Sequence, residues 1–382
     1  MSSQDARIDL FGGPSNFLSP GDIFRRAVSV GRTVLEATTD RRTTFAAFYK
    51  HMNDIGIVVI GRNEGERLRR CLRSLPYGLP VVYVDSASSD GSVSLARSLG
   101  AEVVELDPSR PLSAARARNE GYHRLVELHP ELGFVQFLDG DCELRDDWLD
   151  AAVAALYGQD DAAIVAGRLT ERFPQASIYN RLGELEWNLA GCGEVEEVGG
   201  IFMIRKLAFE SVNGFDPSVP AGEEPELCLR LRKNGWKIRR LDRDMAWHDL
   251  GITRFGQWWR RQVRTGHGSM DVAERFALPA YRRITLRARI WAAWAGITAC
   301  AAAATAATGS APPMLAAVLL LALWPMQLLR IALNTARRGL PPKVALAYAW
   351  LTMISYCPQL LGQARYVLDR RAARSAQLIE YK

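Results

Sequence analysis

The stretch Phe134-Val135-Gln136-Phe137-Leu138-Asp139-Gly140-Asp141 decides the fold of this 382-residue chain. Five largely apolar residues with strand character run straight into two carboxylates separated by one glycine. A buried strand that empties into a tight acidic turn is how an open α/β sheet presents charge at the carboxyl ends of its strands, where ligands bind. Side chains two apart on an extended segment point the same way, so both carboxylates can face one cation.

Upstream, the pattern alternates between strand and helix. Strands are expected over 55–60, 81–84 and 102–106, and helices over 66–74, 91–99 and 113–128. This rhythm predicts an α/β fold, a Rossmann-like and mainly parallel sheet with helices on both faces. Three strand ends carry polar clusters: Gly61-Arg62-Asn63-Glu64, Asp85 to Gly91, and Asp139-Gly140-Asp141. Strand ends of one parallel sheet converge, so the clusters are expected to line one crevice. The first cluster lacks the Gly-x-Gly-x-x-Gly loop of a dinucleotide-binding dehydrogenase.

The net charge of +6 is concentrated. The stretch from Gly251 to Arg289 is rich in arginine and holds only Asp271 and Glu274 against it. Such a belt beside an apolar region suggests anionic lipid headgroups, and nothing in the sequence has the signature of a nucleic-acid binder. From Ile290 to Leu329 there is no charged residue, and Gly309-Ser310-Ala311-Pro312-Pro313 interrupts the run. Two spans of about 20 residues predict a transmembrane helical hairpin. Arginines flank both of its ends, so the positive-inside rule puts the preceding domain on the cytoplasmic face of the membrane. The segment 344–364 is also uncharged but is interrupted by Pro358 and rich in Tyr, Trp and Gln. It is expected to be re-entrant or interfacial, which keeps both neighbouring basic clusters on one side. The six cysteines are scattered and read as reduced, apolar fillers. The expected organisation is an extension over 1–53 with an amphipathic helix from Gly21 to Thr39, a catalytic domain over 54–250, basic aromatic interfacial helices over 251–289 and a membrane region over 290–382.

Further motifs follow in order: Ala117-Arg118-Asn119-Glu120-Gly121, Val198-Gly199-Gly200-Ile201, Gly214-Phe215-Asp216-Pro217, Ala221-Gly222-Glu223-Glu224 and Gly235-Trp236-Lys237-Ile238. The series resembles the family 2 glycosyltransferases with the GT-A fold, and more closely the membrane-anchored enzymes of bacterial exopolysaccharide assembly. The resemblance covers roughly Ile55 to Gly268. It implies a nucleotide-diphosphate sugar donor, commonly a UDP-sugar, a divalent Mg2+ or Mn2+, and inversion at the anomeric carbon. By the same resemblance Asn63 and Glu64 border the nucleotide, Asp85 holds the base, and Arg118, Asn119 and Gly200 lie beside the donor. Asp139 and Asp141 match the metal motif, with Asp141 the direct ligand and His248 a further candidate. Glu223-Glu224 stands where the family has Glu-Asp, whose second acid is the general base, so Glu224 is favoured and Glu223 is the alternative.

Gln257-Trp258-Trp259-Arg260-Arg261 resembles the Gln-x-x-Arg-Trp motif of processive synthases but ends in arginine. Arg260 or Arg261 is expected to assist the leaving phosphate, since guanidinium groups clamp phosphates well. Trp187 either stacks on the acceptor or packs in the core. The leading expectation is a non-processive, inverting, metal-dependent enzyme of surface polysaccharide assembly. Its acceptor would be a polyprenyl-diphosphate-linked saccharide, because an anchored enzyme meets a lipid substrate at raised effective concentration. Partner membrane proteins of the same assembly line are expected. A processive synthase and a non-catalytic, sugar-nucleotide-binding membrane scaffold are the competing readings.

Overall fold

The computed structural model describes residues 54–188, 191–219, 221–309 and 311–372. The expected helix from Gly21 to Thr39 lies outside them. The N-terminal half follows the sequence rhythm closely: β1 (Ile55–Gly61), α1 (Glu66–Arg73), β2 (Val81–Asp85), α2 (Ser92–Ser98), β3 (Glu102–Glu105), α3 (Ala114–Leu128) and β4 (Phe134–Asp139). Strands β3, β2, β1 and β4 lie side by side and are parallel. Ser113 caps α3, its hydroxyl accepting from the Arg116 amide at 3.2 Å. A Cβ at Gly121 would collide with Val58 and Val84, so glycine lets α3 press onto β1 and β2. Gln136, buried in the otherwise apolar β4, is satisfied by the Trp148 indole, which donates to it at 2.8 Å.

Beyond β4 the order is β5 (Cys142–Leu144), α4 (Trp148–Tyr157), β6 (Ala162–Glu171), α5 (Ile178–Trp187), β7 (Gly193–Val195), β8 (Phe202–Arg205), α6 (Lys206–Ser211), α7 (Glu223–Lys233) and β9 (Lys237–His248). Here the sheet departs from the expected mainly parallel arrangement. Strand β8 enters antiparallel between β4 and β6, and β5 and β7 pair antiparallel with β9. The sheet is therefore mixed, with order β3-β2-β1-β4-β8-β6-β9-β5. The physical reason is context: strands of three or four residues that close antiparallel onto distant partners lack the strand-helix alternation that marked the equally short β3. Phe137, Phe202, Phe209 and Phe215 form an aromatic core beneath the strand ends, with ring centroids 5.4–5.6 Å from Phe137.

Four helices complete the described chain: α8 (Phe255–Arg275), α9 (Pro279–Thr308), α10 (Ala311–Ala336) and α11 (Pro342–Arg371). Helices α9 and α10 form the expected hairpin, longer than the uncharged run at both ends. They are joined by Trp294 stacked on Trp324 at 6.2 Å and by Ile331 against Ala288 and its neighbours. Helices α9 and α11 are each long and apolar enough to cross a bilayer. Pro358 does not break α11, which continues unbroken for 30 residues, so the expected re-entrant reversal does not occur within it. A Cβ at Gly362 would collide with the Val263 carbonyl, and one at Gly266 with the Gln359 backbone. Paired glycines thus let α8 and α11 touch backbone to backbone.

Candidate active site

The loops at the carboxyl ends of β1, β2 and β4 open onto a cleft of about 410 Å³, walled also by the start of α3 and by Glu223 and Glu224 at the start of α7. Gly140 turns the chain between the two aspartates, its amide donating to the Ile60 carbonyl at 2.8 Å. Asp139 and Asp141 both line the cleft but are held differently. Asp139 Oδ1 accepts from Arg118 Nη2 at 3.0 Å, whereas Asp141 is buried and faces His248 Nε2 at 3.5 Å. The Asp249 amide donates to the Asp141 carbonyl at 3.0 Å, tying the end of β9 to the acidic turn.

Arg118 is the hub. Its buried guanidinium donates to Asp139, to Glu223 at 2.9 Å and to Glu224 at 3.1 Å, and it sits over the Phe215 ring at 5.5 Å. Burial alone would lower its pKa, but Asp139, Glu224 and Glu223 outweigh that and hold it above the usual arginine value. A Cβ at Gly200 would collide with Arg118 Nη2 and press on Glu224, so this position needs glycine for close approach. Burial, reinforced by the neighbouring Glu223 and opposed by Arg118, pushes the Glu224 carboxyl up to about 7. A carboxylate tuned to neutrality is suited to general base work.

A second cavity of about 370 Å³ lies behind the first, bounded by Trp187, Glu197, Gly222, Arg240 and Tyr281 among others. Glu224 lines both cavities and Glu223 only the first. Trp187 packs edge-on against His248, with centroids 4.3 Å apart, while also lining the second cavity.

Asp141 Oδ1, His248 Nε2 and Cys142 Sγ lie within 4.8 Å of one another. Burial, together with Asp141 and Asp139, pushes the Cys142 thiol well above its usual value and keeps it protonated. That leaves a set of oxygen donors with one imidazole, which fits Mg2+ or Mn2+ better than a thiolate-seeking metal.

The remaining expected residues divide. Asn63, at positive φ, and Glu64 line the cleft, and the Asn63 side chain accepts from the Ser89 amide at 2.8 Å. Asp85 is buried beneath it, accepting from the Tyr83 hydroxyl at 2.9 Å and the Ser88 amide at 2.7 Å. Asn119 instead clasps the Phe215 backbone, donating at 2.8 Å and accepting at 3.0 Å, because the next residue on α3 turns away from Arg118. Arg260 and Arg261 do not reach the donor cleft. Arg260 is exposed and Arg261 pairs with Glu186 at 2.8 Å. Arg264, one turn further along α8, lines the cleft together with Arg62 and Arg67. None of the three was assigned a role from the sequence, although Arg62 stands in the first strand-end cluster; for Arg67 and Arg264 the signal was only the density of arginine near that strand end and on α8. Gln257 caps α8 through the Thr253 and Arg254 amides, which accounts for the motif it resembles.

A parallel half-sheet that ends in an acidic turn, bridged by Arg118 to the glutamates at the start of α7, is a fold of the GT-A class. Residues 56–212 match glycosyl transferase family 2 and residues 193–250 match the family described as the N-terminal domain of galactosyltransferase. The first match makes residues 56–212 a glycosyltransferase family 2 domain. It is 28% identical over 58% of its length to a pre-mycofactocin glycosyltransferase of Mycobacterium tuberculosis, 48% of which is covered. It is also 28% identical over 49% of its length to the succinoglycan biosynthesis protein ExoA of Rhizobium meliloti, 60% of which is covered. The chain thus spans about half the length of the curated relatives it matches. A mannosyltransferase from Pyrobaculum calidifontis, solved with GDP-Man and Mn2+, superposes with a TM-score of 0.54 at 18% identity, covering 83% of this chain and 88% of that one. That likeness is one of fold.

Proposed function

We propose that the chain is an inverting, non-processive glycosyltransferase that moves one sugar from a UDP-sugar to a polyprenyl-diphosphate-linked saccharide at the cytoplasmic face of a bacterial membrane. The observation that carries this reading is Glu224, which stands at the junction of the donor cleft and the second cavity. A donor in the first and an acceptor in the second would meet at its carboxylate.

Glu224 removes the proton from the acceptor hydroxyl, whose oxygen attacks the anomeric carbon as the bond to the diphosphate breaks. One direct displacement inverts that carbon. Arg118 holds Glu223, Glu224 and Asp139 in register, and Arg62 and Arg264 are placed to neutralise the departing diphosphate. Asp141, Asp139 and His248 would hold a divalent ion, which when bound stabilises the charge that grows on that diphosphate. Asp85 retains lone pairs to accept from the nucleobase.

The membrane-length α9 and the hairpin it forms support a lipid-borne acceptor, as does Tyr281 of α9 in the wall of the second cavity. A single hairpin is small for a polymer channel, which favours the non-processive reading over a synthase. Nucleoside diphosphate release from UDP-sugars, measured with and without bacterial lipid extract and followed by product sizing, tests the proposal. Release that requires lipid and gives a product longer by one sugar is expected. A polymer, or release indifferent to lipid, would contradict it.

A further inference from the structure

A third cavity, of about 170 Å³, lies where α5, α8, α9 and α11 meet. Its walls carry two guanidinium groups, Arg261 and Arg287, against a single carboxylate, Glu186. Tyr179 stacks on the buried Trp258 at 5.9 Å on one side, and Gln359 of α11 is held to Gln262 of α8 at 3.0 Å on another. Glu186 lines both this cavity and the second cavity, and its carboxylate accepts from Arg261 Nη1 at 2.8 Å. Glu186 thus stands between the third cavity, which the membrane-length helices wall, and the second, which Glu224 lines.

We propose that this third cavity binds the diphosphate of a prenyl lipid, with Arg261 and Arg287 as its anion clamp and Glu186 as the side chain that yields Arg261 when the lipid arrives. The inference rests in part on the transferase reading, since it places the anchor of the acceptor whose sugar would reach Glu224. The dimensions agree. The third cavity, at about 170 Å³, has room for a diphosphate, and the second, at about 370 Å³, for a sugar unit. The charge agrees as well, because guanidinium groups bind phosphate oxygens in pairs and two of them face one pocket. Leu351 and Ile284 in the same wall offer apolar surface to the first prenyl units. Glu186 at rest keeps Arg261 paired, so the clamp is not left as an uncompensated charge beside the membrane.

The test uses the full-length chain in detergent micelles and radiolabelled long-chain polyprenyl diphosphate, with UDP binding measured on the same preparations. The double variant Arg261→Gln/Arg287→Gln is expected to weaken lipid binding by about tenfold or more, and Arg287→Gln alone by about threefold, while UDP affinity holds. Arg287 is exposed, so the single variant decides the matter if the double variant loses UDP binding too. The polyprenyl alcohol and phosphatidylglycerol should each bind at least about tenfold more weakly than the diphosphate lipid. Equal binding of phosphatidylglycerol would mean adsorption of any anionic lipid, and equal binding of sodium diphosphate would mean the prenyl chain is not read; either overturns the inference. Unchanged lipid binding in both variants overturns it as well, whatever the turnover. Arginine-dependent lipid binding without any turnover of a sugar nucleotide would instead leave this site standing and sink the transferase reading.

Discussion

Arg118 explains more of the site than any acid does. One buried guanidinium serves three carboxylates from two distant segments, and it fixes the distance between the acidic turn and the base helix. The identity of Gly200 follows from that crowding. Asp141, by contrast, is not paired with Arg118 and faces His248, as expected of a direct metal ligand. Asp141→Asn is therefore expected to weaken Mn2+ binding, read by calorimetry, by about a hundredfold and to leave the melting temperature nearly unchanged, because only a strand-end charge is removed. Unaltered Mn2+ affinity would remove Asp141 from the ligand set. At this scale the sequence was legible wherever a residue type is forced by chemistry, as at Asp139, Asp141, Glu223 and Glu224. It was not legible where geometry alone assigns the task. Asn119 and Arg118 are adjacent in a shared motif, yet one clasps a backbone turn and the other builds the site. Arg264 lines the cleft that Arg260 and Arg261 were expected to reach; Arg260 shares its face of α8 but lies one turn, about 5.4 Å, back along the helix.

Among the elements, those with strong periodicity were read almost to the residue, from β1 through β4. Beyond β4 no strand was expected: β6 and β9 are long but bulged or edged with charge, and β5, β7 and β8 are three or four residues that lack the helix-strand alternation that marked β3. Helices α8 and α11 show a different kind of hidden information. Gly266 and Gly362 look unremarkable in sequence, yet each faces backbone across the helix crossing. Gly362→Ala should force the helices apart at a cost of about 1–3 kcal/mol and lower the melting temperature in detergent. Gly296→Ala, with open space around it, should not lower it. Equal melting temperatures for the two variants would refute the proposed close crossing.

For the whole molecule, the orientation of α11 follows from what it touches. Gln359, Gly362 and Tyr366 meet Gln262, Val263 and His267 of α8 in turn, and Arg370 pairs with Glu274. Helix α11 therefore runs alongside α8, which carries Arg260, Arg261, Arg264, Asp271 and Glu274 and would be costly to draw into hydrocarbon. We infer that α11 lies at the interface, with the hairpin of α9 and α10 crossing beside it. A cysteine replacing Ala372 in a background without the six native cysteines should resist a membrane-impermeant thiol reagent in intact cells; rapid labelling would mean that α11 spans. With α11 so placed, α7 would stand close to the lipid phase, because Gly222, just before it, packs on Val272 of α8. The central claim is that Glu224 takes the proton of a lipid-borne acceptor, and turnover in vesicles of bacterial lipid tests it most directly. With its carboxyl raised to about 7, Glu224 is protonated and inactive below that pH and ionised above it, so the rate should climb as pH rises through about 7. Glu224→Gln should lower turnover by about a hundredfold or more, abolish that rise and leave UDP affinity intact, with Glu223→Gln milder. A Glu224→Gln enzyme that keeps the wild-type rate and its pH profile would contradict the account.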